Sequence, residues 1–225
     1  MKQLFIILSL GLLLISCMKQ TDLETLKYNK KIEIPLDELD KSDNGNVPVG
    51  NIYVVKNINN FKYNAFLLKN ESIEFFNELL INKNELSLIV DSYETNNYLG
   101  FELNLIDEKT GDLFLNFFKK KYKNPIKKYN YSEGNYKDQD YLWESKKTNE
   151  IIKFSKHNES NHLNLKTKKE EVLSLTKIII LKDKLKAKVD LNDKRNDSEN
   201  IKKILKENPN AFDVLEIYKS NFENN

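Results

Sequence analysis

Residues 99–125 read Leu-Gly-Phe-Glu-Leu-Asn-Leu-Ile-Asp-Glu-Lys-Thr-Gly-Asp-Leu-Phe-Leu-Asn-Phe-Phe-Lys-Lys-Lys-Tyr-Lys-Asn-Pro, and the fold class turns on them. The first seven residues alternate. Leu99, Phe101, Leu103 and Leu105 fall on one side, and Gly100, Glu102 and Asn104 on the other, the two-residue period of a half-buried strand. The remainder, from Asp107 onward, admits two readings. Residues 107–112 could form a hairpin turn into another strand. Yet Leu113, Phe114, Phe117, Phe118 and Tyr122 recur at helical spacing, with Asn116 and Lys119, Lys120 and Lys121 largely opposite. Strand alternation would leave Phe114 and Phe118 on the wrong side, and only Leu115 breaks the helical stripe. Asn124-Pro125 supplies a stop. The periodicity favours a helix.

Working toward the amino terminus, Leu86, Leu88 and Val90 alternate as a strand. Residues 49–55 and 62–68 are rich in β-branched and aromatic side chains, and are also expected as strands. Between them and Leu86, Asn70 offers an N-cap for a helix over 72–81, with Ile73, Phe76 and Leu80 on one stripe. Toward the carboxyl terminus, residues 127–139 read as a tyrosine-rich loop. Residues 141–144 and 151–154 read as a β-hairpin bearing the single tryptophan, Trp143. Residues 162–166 and 172–181 add strands, the second with Ile178-Ile179-Ile180 as a buried run. A charged loop over 190–200 precedes two helices: 199–207, capped by Ser198 and ended by Asn208-Pro209, and 211–222, with Phe212, Leu215 and Phe222 apolar. The expected fold is α+β: an antiparallel sheet of about six to eight strands, two packed helices, and a C-terminal helical extension.

The chain opens MKQLFIILSLGLLLISC. Lys2 is a positive start, and residues 4–15 are an apolar run too short to cross a bilayer as a helix. Leu14, the small Ser16 and Cys17 resemble the lipobox of bacterial lipoproteins. That resemblance covers the first 17 residues and implies cleavage between Ser16 and Cys17, with lipidation of Cys17. Several acyl chains give stable anchoring where one does not. It further implies a lipid-anchored protein of the cell envelope. Met18 is not the aspartate that retains many such proteins at the inner membrane, so the outer membrane is the expected address. Residues 19–24 (Lys-Gln-Thr-Asp-Leu-Glu) resemble the acidic export signals of Bacteroidetes surface lipoproteins, and the helix, the Tyr122-Lys123-Asn124-Pro125 loop, the Trp143 strand and its return strand resemble exported Bacteroidetes proteins from which no role is carried over. The division expected from this is a signal peptide over 1–16, a polar tether over 17–47, an α+β domain over 48–185, and a C-terminal loop and helices over 186–225. A flexible tether of that length spans roughly 30 Å root-mean-square.

Composition narrows the function classes. Cys17 is the only cysteine, so a lipidated chain has no thiol for a disulfide, a metal or nucleophilic catalysis. The formal charge is +2, which gives no global field for nucleic acid. Of 36 basic residues only Arg195 is arginine. An AT-rich genome produces such lysine richness, and bidentate forks for phosphate are nearly absent.

Motifs for chemistry are sparse. Residues 190–201 begin like a calcium loop, but Lys194, Arg195 and Ile201 stand where a ligand, a glycine and a glutamate are needed. Asp138-Gln139-Asp140 fails in the same way at Leu142. His157 and His162, with Glu159 nearby, fit neither helical nor strand ligand spacing. No catalytic residue, metal ligand or cofactor is therefore assigned. One patch stands out: Lys119, Lys120, Lys121, Tyr122, Lys123, Lys127, Lys128, Tyr129 and Tyr131, in a stretch without an acid between Asp112 and Glu133. It reads either as a binding surface for an anionic partner or as lysines favouring a helix C-terminus. The expected function is a non-enzymatic binding module, on the pattern of a toxin-immunity protein. Its expected partners are the membrane, through Cys17, and an envelope or secreted protein. A hydrolase using carboxylates with His157 or His162, and a structural accessory docking through 198–222, are the alternatives.

Overall fold

The computed structural model describes residues 20–42, 49–74, 81–134, 136–164, 168–188 and 198–222. In chain order the strands are β1 (Thr21–Asp22), β2 (Leu39–Ser42), β3 (Asn51–Val55), β4 (Phe61–Tyr63), β5 (Phe66–Leu67), β6 (Ser72–Glu74), β7 (Ile81–Lys83), β8 (Glu85–Val90), β9 (Tyr98–Leu105), β10 (Lys127–Glu133), β11 (Tyr136–Ser145), β12 (Glu150–Asn164) and β13 (Lys169–Lys182). The helices are α1 (Glu108–Tyr122), α2 (Ser198–Glu207) and α3 (Val214–Asn221). Among the described residues eight strands form one antiparallel sheet in the order β10-β11-β12-β13-β9-β8-β3-β2. The fold is α+β.

The helix reading of residues 112–122 holds, and the helix begins four residues earlier, at Glu108. Asp107 caps α1 by accepting from the Thr110 amide at 2.7 Å, and three lysines occupy the last turn, where they face the negative end of the dipole. Gly111, a residue equally suited to a hairpin turn, has a packing role instead. A Cβ there would stand 2.2 Å from Thr176 Oγ1, so the missing side chain lets α1 lie directly on β13. The buried ammonium of Lys156 reaches from the sheet to Asp112 at 2.5 Å and Glu108 at 3.5 Å, fixing the first turn.

Both faces of the sheet are covered. On one, Phe114, Leu115 and Phe118 of α1 join Phe101, Leu103, Trp143, Phe154 and Ile178 in the larger core. On the other, Val214, Leu215 and Tyr218 of α3 cover Ile52, Ile89, Leu142, Ile151, Ile179 and Leu181. The C-terminal helices are present as expected, but α3 is a core layer rather than a separate unit. Leu99 departs from its alternation. A register shift between β8 and β9 pairs Ile89 with Gly100 and Val90 with Tyr98, leaving Leu99 as the extra residue, and it joins the α3 side. Gly100, at φ 152°, fits here because it has no Cβ, which would stand 2.1 Å from the Ile180 carbonyl oxygen.

Three expectations are corrected. Residues 20–42 are not a polar tether. Asp22 and Thr21 pair in parallel with β4, β2 completes the sheet edge, and Leu23, Ile32, Ile34 and Leu39 are buried in the core beneath α1. Residues 72–81 do not begin as a helix: Ser72–Glu74 and Ile81–Lys83 pair as antiparallel strands, while Phe76 and Leu80 lie outside the described residues. Residues 127–139 are not a loop but most of a long antiparallel ladder between β10 and β11. The expected leader (1–16), Ser16, Cys17, residues 43–47 and most of the 190–200 loop lie outside the described residues.

Leu23 separates tether from core. It is 2% exposed, so Leu23→Ala is expected to cost about 2–5 kcal/mol in urea unfolding, the range for a truncated core leucine. A leucine on a solvated tether would leave the unfolding midpoint where it was.

Candidate functional site

The lysine-tyrosine patch is divided among three places. At the end of α1, Lys121 and Tyr122 belong to a clasp that holds the amino-terminal layer. Lys121 Nζ donates to Glu24 Oε1 at 2.5 Å and to Tyr63 Oη at 3.4 Å. Tyr122 and Tyr28 each donate to one oxygen of Glu150, at 3.1 and 3.0 Å, and Tyr28 stacks on Tyr98 at 5.6 Å. Burial, reinforced by the Glu150 carboxylate, pushes the Tyr28, Tyr98 and Tyr122 phenols up, so Tyr28 and Tyr122 remain protonated donors. Lys119 stands 4.6 Å over the Tyr141 ring, and Lys120 is exposed. Lys123, at φ 58°, accepts the Trp143 indole N–H on its carbonyl at 3.2 Å. These residues position the fold.

The rest of the patch lies on β10, where alternation divides it again. Lys128 is opposite Tyr141 and shares the α1 face. Lys127, Tyr129 and Tyr131 point to the other face, and it is there that a surface of distinct chemistry is assembled. The ladders align Lys127, Leu142, Lys153, Ile179, Glu102 and Ser87 in one row across the sheet. A second row runs Tyr129, Asp140, Ser155, Lys177, Asn104 and Glu85. A third runs Tyr131, Asp138, His157 and Leu175. The preceding row, Glu144, Ile151, Leu181, Gly100, Ile89 and Ile52, is mainly apolar and belongs largely to the α3 core. The rows beyond the α3 core are thus more polar than the row within it.

At the inner end, Lys177 pairs with the buried Glu102 at 3.1 Å, and Asn104 donates to the same Oε1 at 3.1 Å. Among the described residues, Glu102 Oε2 and the Tyr218 hydroxyl are buried without a hydrogen-bond partner. Lys153 stands 5.2 Å over the Tyr218 ring. Burial pushes its ammonium below the usual lysine range and Lys177 adds to this, while Asp140 and Glu102 pull the other way. At the outer end, Asp138 and His157 Nδ1 are 3.2 Å apart. Tyr131 and Tyr136 meet edge to face at 5.9 Å and are 41% and 48% exposed. Tyr131 donates to Glu133, and that bond raises its phenol, while the Asp138 carboxylate raises Tyr136. The result is a paired strand face with two exposed aromatic rings beside polar groups of both signs.

Of the two histidines, His157 sits on this face, and His162 is placed in β12 opposite Glu171, with its side chain outside the described residues. The carboxyls of Asp91 and Asp107 are displaced downward. Burial would raise both, but hydrogen bonds outweigh it: Thr95, Asn97 and Ser92 donate to Asp91, and Thr110 to Asp107. Among the described residues no group of three or more His, Asp or Glu is placed to hold a metal ion, and no helix is long and apolar enough to cross a membrane. Sequence reading misses Tyr136 as the neighbour of Tyr131, and Lys153, Lys177 and Glu102 as members of the same sheet face. Only the β10–β13 register brings them together. No family model, curated protein or solved structure matches the chain.

Lys153 gives a pH signature. Its folded pKa lies below its unfolded one, so between them the unfolded chain binds more protons and stability rises with pH. Urea midpoints measured from neutral pH to about 10.4, the ordinary lysine value, are expected to climb for wild type relative to Lys153→Met. Parallel profiles would contradict a depressed Lys153.

Proposed function

We propose that the chain is a lipid-anchored binding module of the bacterial cell envelope, held through Cys17, with the outer strand face of β10–β12 as its recognition surface. The observation that carries the reading is the pair of exposed rings, Tyr131 and Tyr136, beside Asp138, His157 and Asp140 on a rigid ladder. Tyrosine supplies large contact area at low entropic cost and a polar tip, and the surrounding charges give orientation. Flanking groups of both signs suit a protein surface of mixed charge better than a uniformly anionic polymer. An envelope or secreted protein, in the manner of a toxin met by its immunity partner, is the partner class this supports. The anchor rests on Leu14, Ser16 and Cys17 and on the lipobox they resemble.

Two substitutions separate anchor from surface. Cys17→Ser is expected to move the protein from the membrane to the soluble fraction. Tyr131→Ala with Tyr136→Ala is expected to leave both fractionation and the unfolding midpoint unchanged. In affinity capture from detergent-solubilised envelope, the double variant should lose the enriched partner by about tenfold or more, equivalent to about 1.4 kcal/mol or more. Equal recovery by the double variant and the parent would count against this face.

A further inference from the structure

We propose that the side of the domain carrying β1 and β5 rests directly on the lipid headgroups, an inference that depends on the anchor at Cys17 proposed above. Chain length dictates the placement. The fold takes hold of the chain at Gln20, whose Nε2 donates to the Asn59 carbonyl at 2.9 Å. Thr21 then pairs with Phe61, and Asp22 meets Lys62 at 3.2 Å and accepts from the Asn64 amide at 3.2 Å. The next residue, Leu23, is buried. Only three peptide steps separate Cys17 from Gln20, a span of about 11 Å at full extension. A headgroup layer is itself roughly 5–8 Å thick. Acyl chains on Cys17 therefore leave the domain no room to stand clear of the membrane.

The surface at that point is suited to the contact. Leu67, 55% exposed, lines the same cleft of about 910 Å³ as Gln20 and Thr21. Leu113, 47% exposed, lines the adjoining cleft together with Leu67, Lys69 and Lys109. Exposed leucines among Lys62, Lys69 and Lys109 and the acids Asp22, Glu33, Glu71 and Asp107 match an apolar interior beneath zwitterionic headgroups. The occupant is the bilayer to which Cys17 is attached.

The test uses the full lipidated chain in phosphatidylcholine vesicles that carry a nitroxide on part of their headgroups. Acylation consumes the Cys17 sulfur, so a cysteine introduced elsewhere is a unique labelling site. Leu67→Cys and Ser220→Cys, the second on α3 across the sheet, each receive a small fluorophore. The label at position 67 is expected to be quenched several-fold more than that at 220. A long glycine-serine insert before Gln20 should abolish the difference, because it restores a flexible reach. Flotation with the vesicles but equal quenching at both positions would overturn the placement alone. Failure of the wild-type chain to float would overturn the anchor, and the placement with it.

Discussion

Phe118 is the side chain on which the layers depend. It is fully buried, and its ring lies within 6.3 Å of partners from four sources. Tyr63 comes from the amino-terminal layer, Phe114 and Tyr122 from its own helix, Trp143 from β11, and Phe154 from β12. Aromatic rings in offset and edge-on contact add to the burial itself, and they set α1 at one angle across the sheet. Once α1 is fixed, Gly111 brings it against Thr176, Lys156 ties down its first turn, and its last turn presents Lys121 and Tyr122 to Glu24 and Glu150. The amino-terminal layer then closes over the remaining apolar surface.

The central strand and helix are legible in the sequence because each carries its own period. The alternation through Phe101, Leu103 and Leu105 and the stripe through Phe114 and Phe118 are local signals, and both sets reach the core that their periods predict. Leu99 takes the opposite face from the one its alternation predicts, because a bulge is a property of two strands, visible only once β8 and β9 are paired. The folding of residues 20–42 is illegible for a related reason. Its buried positions, Leu23, Ile32, Ile34 and Leu39, follow no single period, since they are held by a two-residue parallel strand, short 3-10 turns and one edge strand. Residues 127–139 mislead differently. β10 is an edge strand with solvent on much of both faces, so its alternation of Lys, Tyr, Asn and Ser carries almost no hydrophobic contrast.

The same logic explains why the candidate site is only half visible in the sequence. Lysine and tyrosine clustering draws attention to residues 119–131, but a cluster in sequence becomes a cluster in space only if one element presents it on one side. Here the helix ends at Tyr122 and the strand starts at Lys127, so the stretch is divided between a helix end and the two faces of a strand. At the helix end Lys119, Lys121, Tyr122 and the capping Lys123 make contacts with Tyr141, Glu24, Glu150 and Trp143. Tyr129 and Tyr131 acquire their neighbours, by contrast, from β11, β12 and β13. A binding face on a sheet is a property of register, which composition does not encode.

The two proposed surfaces are linked through the sheet. β1, β4 and α1 pack on one face, and the rows ending at Tyr129 and Tyr131 lie on the other. A bilayer meeting the domain at Gln20 and Leu67 would leave the tyrosine face turned from the membrane, presented by strands that run through the buried core. Rigidity matters in that arrangement. The proposed anchor, three peptide steps from Gln20, would not let the domain swing freely to find a partner, so the proposed recognition surface would have to be correctly oriented from the start. The clasp of Glu24 and Lys121, with Tyr28 and Tyr122 on Glu150, joins the amino-terminal layer to α1 and to the β11–β12 hairpin, and would supply that orientation. An immobile, pre-oriented face trades search volume for a smaller loss of freedom on binding, which favours a partner that arrives by diffusion at the membrane surface.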